Sequence, residues 1–223
     1  MPNHVANHLE IIGHPTHVQN VLDGVKGKDD NGNDIPFAYE GFLPMPEEIR
    51  HVTCPVQIIS KKDYDKQEAK RELTDTPFFR NNITKAMSSD YIARFGADNW
   101  YDWASQNWGT KWGAYSTVLN EPTTPDGDGN IIQFIYFETA WSGGAVAIQK
   151  LSEMFPYVKF RLTFADEDCG FNVGILLYEG GCLCEEYIPE GGSNEAMQIY
   201  FDTHGGSEGW EMVKGEWQWA DDE

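Results

Sequence analysis

The chain begins with a segment in which hydrophobic residues alternate as in a strand, followed by one in which they recur at helical spacing. Residues 4–12 alternate, placing Val5, Leu9 and Ile11 on one side together with Asn7, which predicts a half-buried strand. After a Gly-His-Pro break, apolar residues recur at 18, 21, 22 and 25, the spacing of a helix with one apolar stripe. The chain therefore begins with a β-α unit, and residues 36–43 read as a second strand that ends at Pro44.

The middle of the chain predicts helices. Residues 61–75 are highly charged and favour a solvated helix, and the apolar spacing from Ile83 to Ile92 predicts another that ends near Gly96. Residues 98–112 contain three tryptophans at helical spacing before Gly109, and aromatic residues in such a stripe are typical of a core. We therefore predict a helical, Trp-rich insertion over residues 61–112.

The last hundred residues are rich in strands. Residues 113–141 predict a β-hairpin, and Ser142 is placed to cap a helix that continues to Phe155. Three alternating segments follow, over 158–164, 171–177 and 182–188, and then a helix capped by Ser193. The order indicates a single α+β domain with a mainly antiparallel sheet. Its core comprises residues 1–60 and 113–204, and residues 205–223 form an acidic, Trp-containing extension.

The charge of the chain is strongly negative and unevenly distributed. Of 223 residues, 36 are acidic and 16 basic, a net charge of −20. Residues 95–223 carry 22 acids and 5 bases, and from Leu162 onward Lys214 stands alone against 15 acids. Direct binding to nucleic acid or to anionic lipid needs positive charge, so both are excluded as functions. The charge serves solubility, or it faces a partner with a basic surface.

Motifs that carry chemistry are sparse. The chain has no phosphate-binding glycine loop and no nucleophile elbow. The pairs His4 with His8 and Cys182 with Cys184 supply too few ligands for zinc, so no metal, cofactor or catalytic residue is assigned. The acids at 166–168 and 185–186 could hold Mg²⁺, which leaves an enzyme acting on a nucleotide or phosphoester as an alternative.

The cellular compartment is predicted from two missing sequence signals, a signal peptide and a membrane-spanning apolar run. The first residues do not resemble a signal peptide, and no run reaches 18 apolar residues. We therefore expect a cytoplasmic protein in a reducing cell interior, with four free thiols.

Three stretches carry a family resemblance, at residues 1–13, 98–115 and 137–168. The runs Trp-Gly-Thr-Lys-Trp at 108–112 and Thr-Ala-Trp-Ser at 139–142 are its most specific parts. There the chain resembles the YubB-type, Api-like proteins of phages and plasmids. The resemblance implies a ferredoxin-like core and an origin in a mobile genetic element that acts inside a bacterial host cell, and it supplies no catalytic residue. Gly143 and Gly144 stand where family members often carry proline.

These observations lead to one main hypothesis and two alternatives. The main hypothesis is an acidic interaction protein that binds and inhibits a host defence or nucleic-acid-handling protein, with its carboxylates imitating nucleic-acid phosphates. The alternatives are the metal-dependent enzyme and an accessory or structural phage protein, and the oligomeric state is left open. The residues predicted to contact the partner are acids and exposed aromatics. They are Asp166, Glu167, Asp168, Glu179, Glu185, Glu186, Glu190, Glu195, Trp210, Trp217 and Trp219.

Overall fold

A computed structural model describes residues 3–29, 31–71, 80–207 and 209–220. The predicted continuation of the charged helix over 72–75 lies outside these residues. The strands are β1 His4–Gly13, β2 Gly27–Lys28, β3 Asp34–Ile35, β4 Val52–Ile59, β5 Arg80–Thr84, β6 Tyr115–Leu119, β7 Ile131–Ala140, β8 Lys159–Asp166, β9 Val173–Glu179, β10 Cys182–Tyr187, β11 Trp210–Val213 and β12 Glu216–Trp219. The helices are α1 Pro15–Gly24, α2 Tyr39–Phe42, α3 Glu47–Arg50, α4 Lys61–Arg71, α5 Lys85–Phe95, α6 Trp100–Asn107, α7 Ala145–Met154 and α8 Asn194–His204.

The main sheet has six strands in the order β10-β9-β8-β1-β7-β6, and every neighbouring pair is antiparallel. The elements β1-α1-β6-β7-α7-β8 form two β-α-β units whose strands interleave in the order β8-β1-β7-β6. That arrangement is the ferredoxin-like fold, with β9 and β10 added beyond β8. The prediction of an α+β protein with a ferredoxin-like core and a mainly antiparallel sheet is confirmed.

One face of the sheet, here called the core face, lies under α1 and α7. Val5, Leu9 and Ile11 of β1 are fully buried on it, as the alternation predicted. Asn7 shares this face and is also fully buried. Its amide nitrogen donates to the Val5 carbonyl and to the Thr139 hydroxyl on β7, at 2.9 and 2.8 Å, so this polar side chain is held by hydrogen bonds inside the core.

Three local predictions are wrong. The helix predicted from Ile83 begins at Lys85, because Ile83 lies in β5 and Thr84 caps the helix.

Residues 36–43 form no strand: β3 ends at Ile35 and α2 follows. The Leu43 N–H donates to the Tyr39 carbonyl at 2.7 Å, which closes a helical turn, and Gly41 in that turn lies so close to the chain after α1 that a Cβ would be 2.3 Å from the Lys26 carbonyl oxygen.

Ser142 does not cap α7; the cap position is Gly144, and the Ser142 hydroxyl donates to the Gly109 carbonyl instead. Gly143 packs against the Phe164 ring with no room for a Cβ, so the helix starts later than the sequence suggests.

The segment between α1 and β6 packs as an insertion beside the sheet. It holds a small parallel sheet of β4 and β5 together with α2 to α6, and so begins well before residue 61. Trp103 and Trp108 are buried in the same core as β1, as the helical stripe predicted. The indole nitrogen of Trp108 donates to the Leu43 carbonyl at 3.0 Å, which fixes α6 to the chain after α2.

The opposite face of the sheet is only partly covered. Helix α8, capped by Ser193 as predicted, packs there on β8 and β9 through Ala196 and Ile199 against Ala165 and Val173. The hairpin of β11 and β12 follows α8, and the Trp217 ring lies 4.6 Å from that of Phe201. The hairpin of the C-terminal extension is thus docked on α8.

Substitution of Phe137 tests whether the hydrophobic core is assigned correctly. This residue is fully buried and its ring lies 4.7 Å from that of Phe37, so Phe137→Ala should lower the free energy of unfolding by about 3–5 kcal/mol in chemical denaturation. The matched control is Phe171→Ala, because Phe171 is 55% exposed and should lose far less. Equal losses in both variants would contradict the assigned core.

Candidate functional site

The acidic turn at 166–168 contains one buried and two exposed carboxylates. Asp166 is buried and accepts hydrogen bonds from the Asn3 and Asn172 side chains at 2.9 and 2.8 Å and from the Asp168 backbone nitrogen at 3.1 Å. These contacts tie the chain start to the turn between β8 and β9. Asp166 therefore holds the turn and is no part of an exposed surface, whereas Glu167 and Asp168 face solvent.

The other predicted acids are all exposed. We call the exposed set the acidic surface, and it comprises Glu167, Asp168, Glu179, Glu185, Glu186, Glu190 and Glu195. Its members surround the β9–β10 half of the sheet. Two lie on β10, which is exposed along its whole length.

Ion pairs are unevenly distributed along the chain, as the net charge is. In the first half, Arg50, Arg80 and Arg94 each bond a glutamate, at 2.7, 2.9 and 2.6 Å. Among the described residues from Leu162 onward, Glu179 alone pairs with a cation, Lys159 at 3.2 Å. The other carboxylates of the acidic surface face solvent without a positive partner in this part of the chain.

The predicted aromatic anchors differ in exposure. Trp219 is 61% exposed, whereas Trp210 and Trp217 are partly buried in the docked hairpin. The Trp217 indole nitrogen is buried and makes no hydrogen bond. Trp219 is therefore the most accessible of the three.

A groove of about 1250 Å³ lies between the insertion and the β6 edge of the sheet. Its walls include Trp100, Trp112, Tyr115 and Tyr136. The Arg50 guanidinium at its rim already bonds both oxygens of Glu40, at 2.7 and 3.1 Å. The groove therefore suits apolar or aromatic groups better than anions. Its walls come from segments that are far apart in the chain. The helical spacing of the tryptophans was the one sequence signal that pointed to any of these wall residues.

Titratable side chains gather on the open part of the sheet beside this groove. Burial raises the pKa of Tyr136 to about 12, and nearby Glu138, which accepts a hydrogen bond from its hydroxyl at 3.1 Å, adds to the effect. Burial also lowers the pKa of His8, whose ring lies 5.5 Å from that of Tyr136, and the charge of His204 lowers it further. His4 and His8 share this face as predicted, and His4 bonds the Tyr115 hydroxyl.

The described residues contain no cluster of side chains suited to a metal ion. Among them, no three His, Cys, Asp or Glu side chains come close enough together to hold an ion. Cys182 and Cys184 lie on β10, where the pairing with β9 shifts register between Leu183 and Glu185. The helices of the described segments include none long and apolar enough to cross a membrane.

The fold and surfaces define an α+β protein of the ferredoxin-like class with an acidic edge. Residues 124–207 match the family model described as the ferredoxin-like domain in Api92-like protein, which supports the Api-like resemblance over that segment. The crystal structure of the protein Api92 from Yersinia pseudotuberculosis is also similar to the chain, at 13% identity and a TM-score of 0.40 over 85% of this chain and 99% of that one. No curated protein matches the chain in sequence.

Asp166 provides a first test of the turn. Asp166→Ala removes the acceptor for three donors, so we expect a loss of about 1–3 kcal/mol in the free energy of unfolding. Glu190→Ala is the control, since this exposed carboxylate lies outside the Asn3 network and its loss should change stability by no more than about 0.5 kcal/mol. Urea denaturation of both variants measures the difference. An unchanged Asp166→Ala protein would contradict the structural role.

His8 provides a test through pH. Its folded-state pKa lies below the unfolded value of about 6.5, so between the two pKa values the unfolded chain binds more protons. The contribution of neutral His8 to the free energy of unfolding is complete above the unfolded-state pKa and is lost as the pH falls below that value. The stability of wild type relative to His8→Gln should therefore decline as urea denaturation is repeated from about pH 7.5 to about pH 5. A pH dependence of stability that survives unchanged in His8→Gln would exclude His8 as its source.

Proposed function

We propose that this chain is an acidic interaction protein that binds a basic host protein and inhibits it. The observation that carries the proposal is the unpaired charge of the acidic surface. Six of its seven carboxylates have no cation partner among the described residues, while the first half of the chain neutralises its charge internally. Concentrated like charge costs stability through self-repulsion, and a complementary partner relieves that cost.

The class of partner follows from electrostatics. Basic surfaces that bind DNA or RNA recognise phosphates mainly through charge, and binding releases the counterions of the nucleic acid. A rim of carboxylates can occupy the same basic surface by the same mechanism. We therefore propose a defence protein or a nucleic-acid-handling protein as the target.

The biological setting is proposed from the resemblance. The Api-like match over residues 124–207 is compatible with the phage or plasmid origin that the YubB-type resemblance implies, and with a role in the cytoplasm of a bacterial host. An accessory phage protein would share the acidic surface, and its assembly into larger particles would distinguish it. No observation favours the metal-dependent enzyme, since Asp166 of the predicted acid cluster is occupied by hydrogen bonds.

Charge reversal away from β10 tests the proposal. Partners are captured from bacterial lysate at low and high salt, with DNA as a competitor, and identified by mass spectrometry. We expect a nucleic-acid-binding or defence protein that is retained at low salt and displaced by DNA. Glu167→Lys with Glu190→Lys should weaken its binding at least about tenfold, because attraction becomes repulsion.

The matched control carries the same change of charge elsewhere. Glu121→Lys with Asp128→Lys lies in the exposed link between β6 and β7 and should leave capture unchanged. A blank, or a partner indifferent to salt, to DNA and to both variants, would make the charge a feature of solubility alone. Activity of the captured protein with and without this chain then measures inhibition.

A further inference from the structure

Strand β10 leaves one edge of the main sheet open. It pairs with β9 on one side, and within the described part of the chain no strand pairs with its other side. All six of its residues are exposed. Alternate backbone N–H and C=O groups along this edge therefore point to solvent, and such an edge is a template for another strand.

The side chains of β10 combine charge with apolar surface. The register with β9 places Glu185 and Tyr187 on one face of the sheet and Glu186 on the other. Leu183, Tyr187 and Ile188 are 44%, 48% and 52% exposed. Each face of the open edge thus presents a carboxylate next to apolar side chains.

The opposite edge of the sheet is shaped differently. Strand β6 is bulged between Tyr115 and Val118, with Ser116 at a φ of +50°, and its residues form a wall of the groove. Irregular backbone of this kind protects an edge from pairing. In β10 the register also shifts, after Leu183, but Glu185–Tyr187 pair regularly with β9. The regular part of the open edge is therefore the part that carries the two glutamates.

A second copy of the chain is a poor occupant of this edge. In a two-fold antiparallel pairing of β10 with itself centred on Glu185, this glutamate lies directly opposite the same residue of the other copy, and Glu186 lies diagonally across from its own counterpart. In the register centred on Cys184, Glu185 still lies diagonally across from its counterpart. Like charges directly across two strands are destabilising. The complementary occupant is a strand of opposite charge.

We propose that the free edge of β10 accepts an extended basic segment of the partner as a seventh strand, with Lys or Arg opposite Glu185 and Glu186 and apolar residues opposite Leu183 and Tyr187. Backbone hydrogen bonds supply the pairing, and the charge match selects the partner. This inference rests on the proposed function and names how its partner binds.

The test uses the full chain and a capped peptide of about eight residues, long enough for a strand, in which Lys-Arg is flanked by Val and Thr. Two analogues carry N-methyl groups on alternate backbone nitrogens, one analogue on each edge of the peptide. Binding is measured by fluorescence anisotropy at low salt. The parent peptide should bind, and one analogue should bind like it. The other analogue should be at least about tenfold weaker, because only one edge of an added strand bonds β10.

Two further readouts locate the site. Glu185→Lys with Glu186→Lys should abolish binding of the parent peptide, whereas Glu121→Lys with Asp128→Lys should not. In hydrogen exchange followed by NMR, alternate amides of β10, those that point away from β9, should gain protection when the peptide binds. Protection of no β10 amide, or binding that survives reversal of Glu185 and Glu186, would overturn the proposal.

The remaining outcomes separate this inference from the proposed function. If both analogues bind like the parent, the contact is electrostatic alone and strand addition is wrong, while an acidic interaction protein remains supported. If no peptide binds but DNA-displaceable capture from lysate persists, the partner uses another surface. Self-association through β10, shown by a dimer that the two glutamate reversals alter, would give the edge to a second copy and overturn the proposal.

Discussion

The structure depends on the two-sided pairing of β1. This strand pairs with β7 over its whole length and with β8 from Val5 to Ile12, so both halves of the ferredoxin-like core meet on it. Its alternation sends Leu9 into the core and His8 to the opposite face. A slip of one residue would exchange these faces and bury His8 under the helices, which fixes the register strongly. The buried bond from Asn7 to Thr139 is made only in this register.

The two faces of the sheet have different tasks because they are covered differently. The core face is closed by α1 and α7, with the insertion packed alongside, whereas α8 covers mainly β8 and β9 on the other face. The uncovered part keeps His8 and Tyr136 half-buried, and burial favours the neutral form of both. Charge divides along a similar line, since ion pairs balance the insertion and the acids around β9 and β10 face solvent.

Local pattern determined most of the fold, and contacts between distant residues determined where prediction failed. Alternation identified β1, β8 and β9, and Ser193 marked the start of α8. The failures at 36–43 and Ser142 arise where Gly41 meets Lys26 and Gly143 meets Phe164, contacts that no local period encodes. The candidate site was also only partly predictable from local sequence. Three consecutive acids look equivalent in sequence, but one of them, Asp166, is buried and bonded by Asn3 and Asn172, which lie elsewhere in the chain. The groove likewise combines segments far apart in the chain.

The position of the acids says more than their number. Solubility requires net charge but no particular location, and an open edge strand requires protection from pairing with copies of itself. Glu185 and Glu186 meet both requirements, because they stand on the regular part of β10, the open outer strand of the main sheet, whose six residues are all exposed. Lysine would protect an edge from self-pairing equally well. The choice of glutamate instead gives the edge a preference, since charges that repel a second copy attract a basic strand. Under the proposed strand addition, protection from self-association and selection of a partner are two consequences of the same pair of carboxylates.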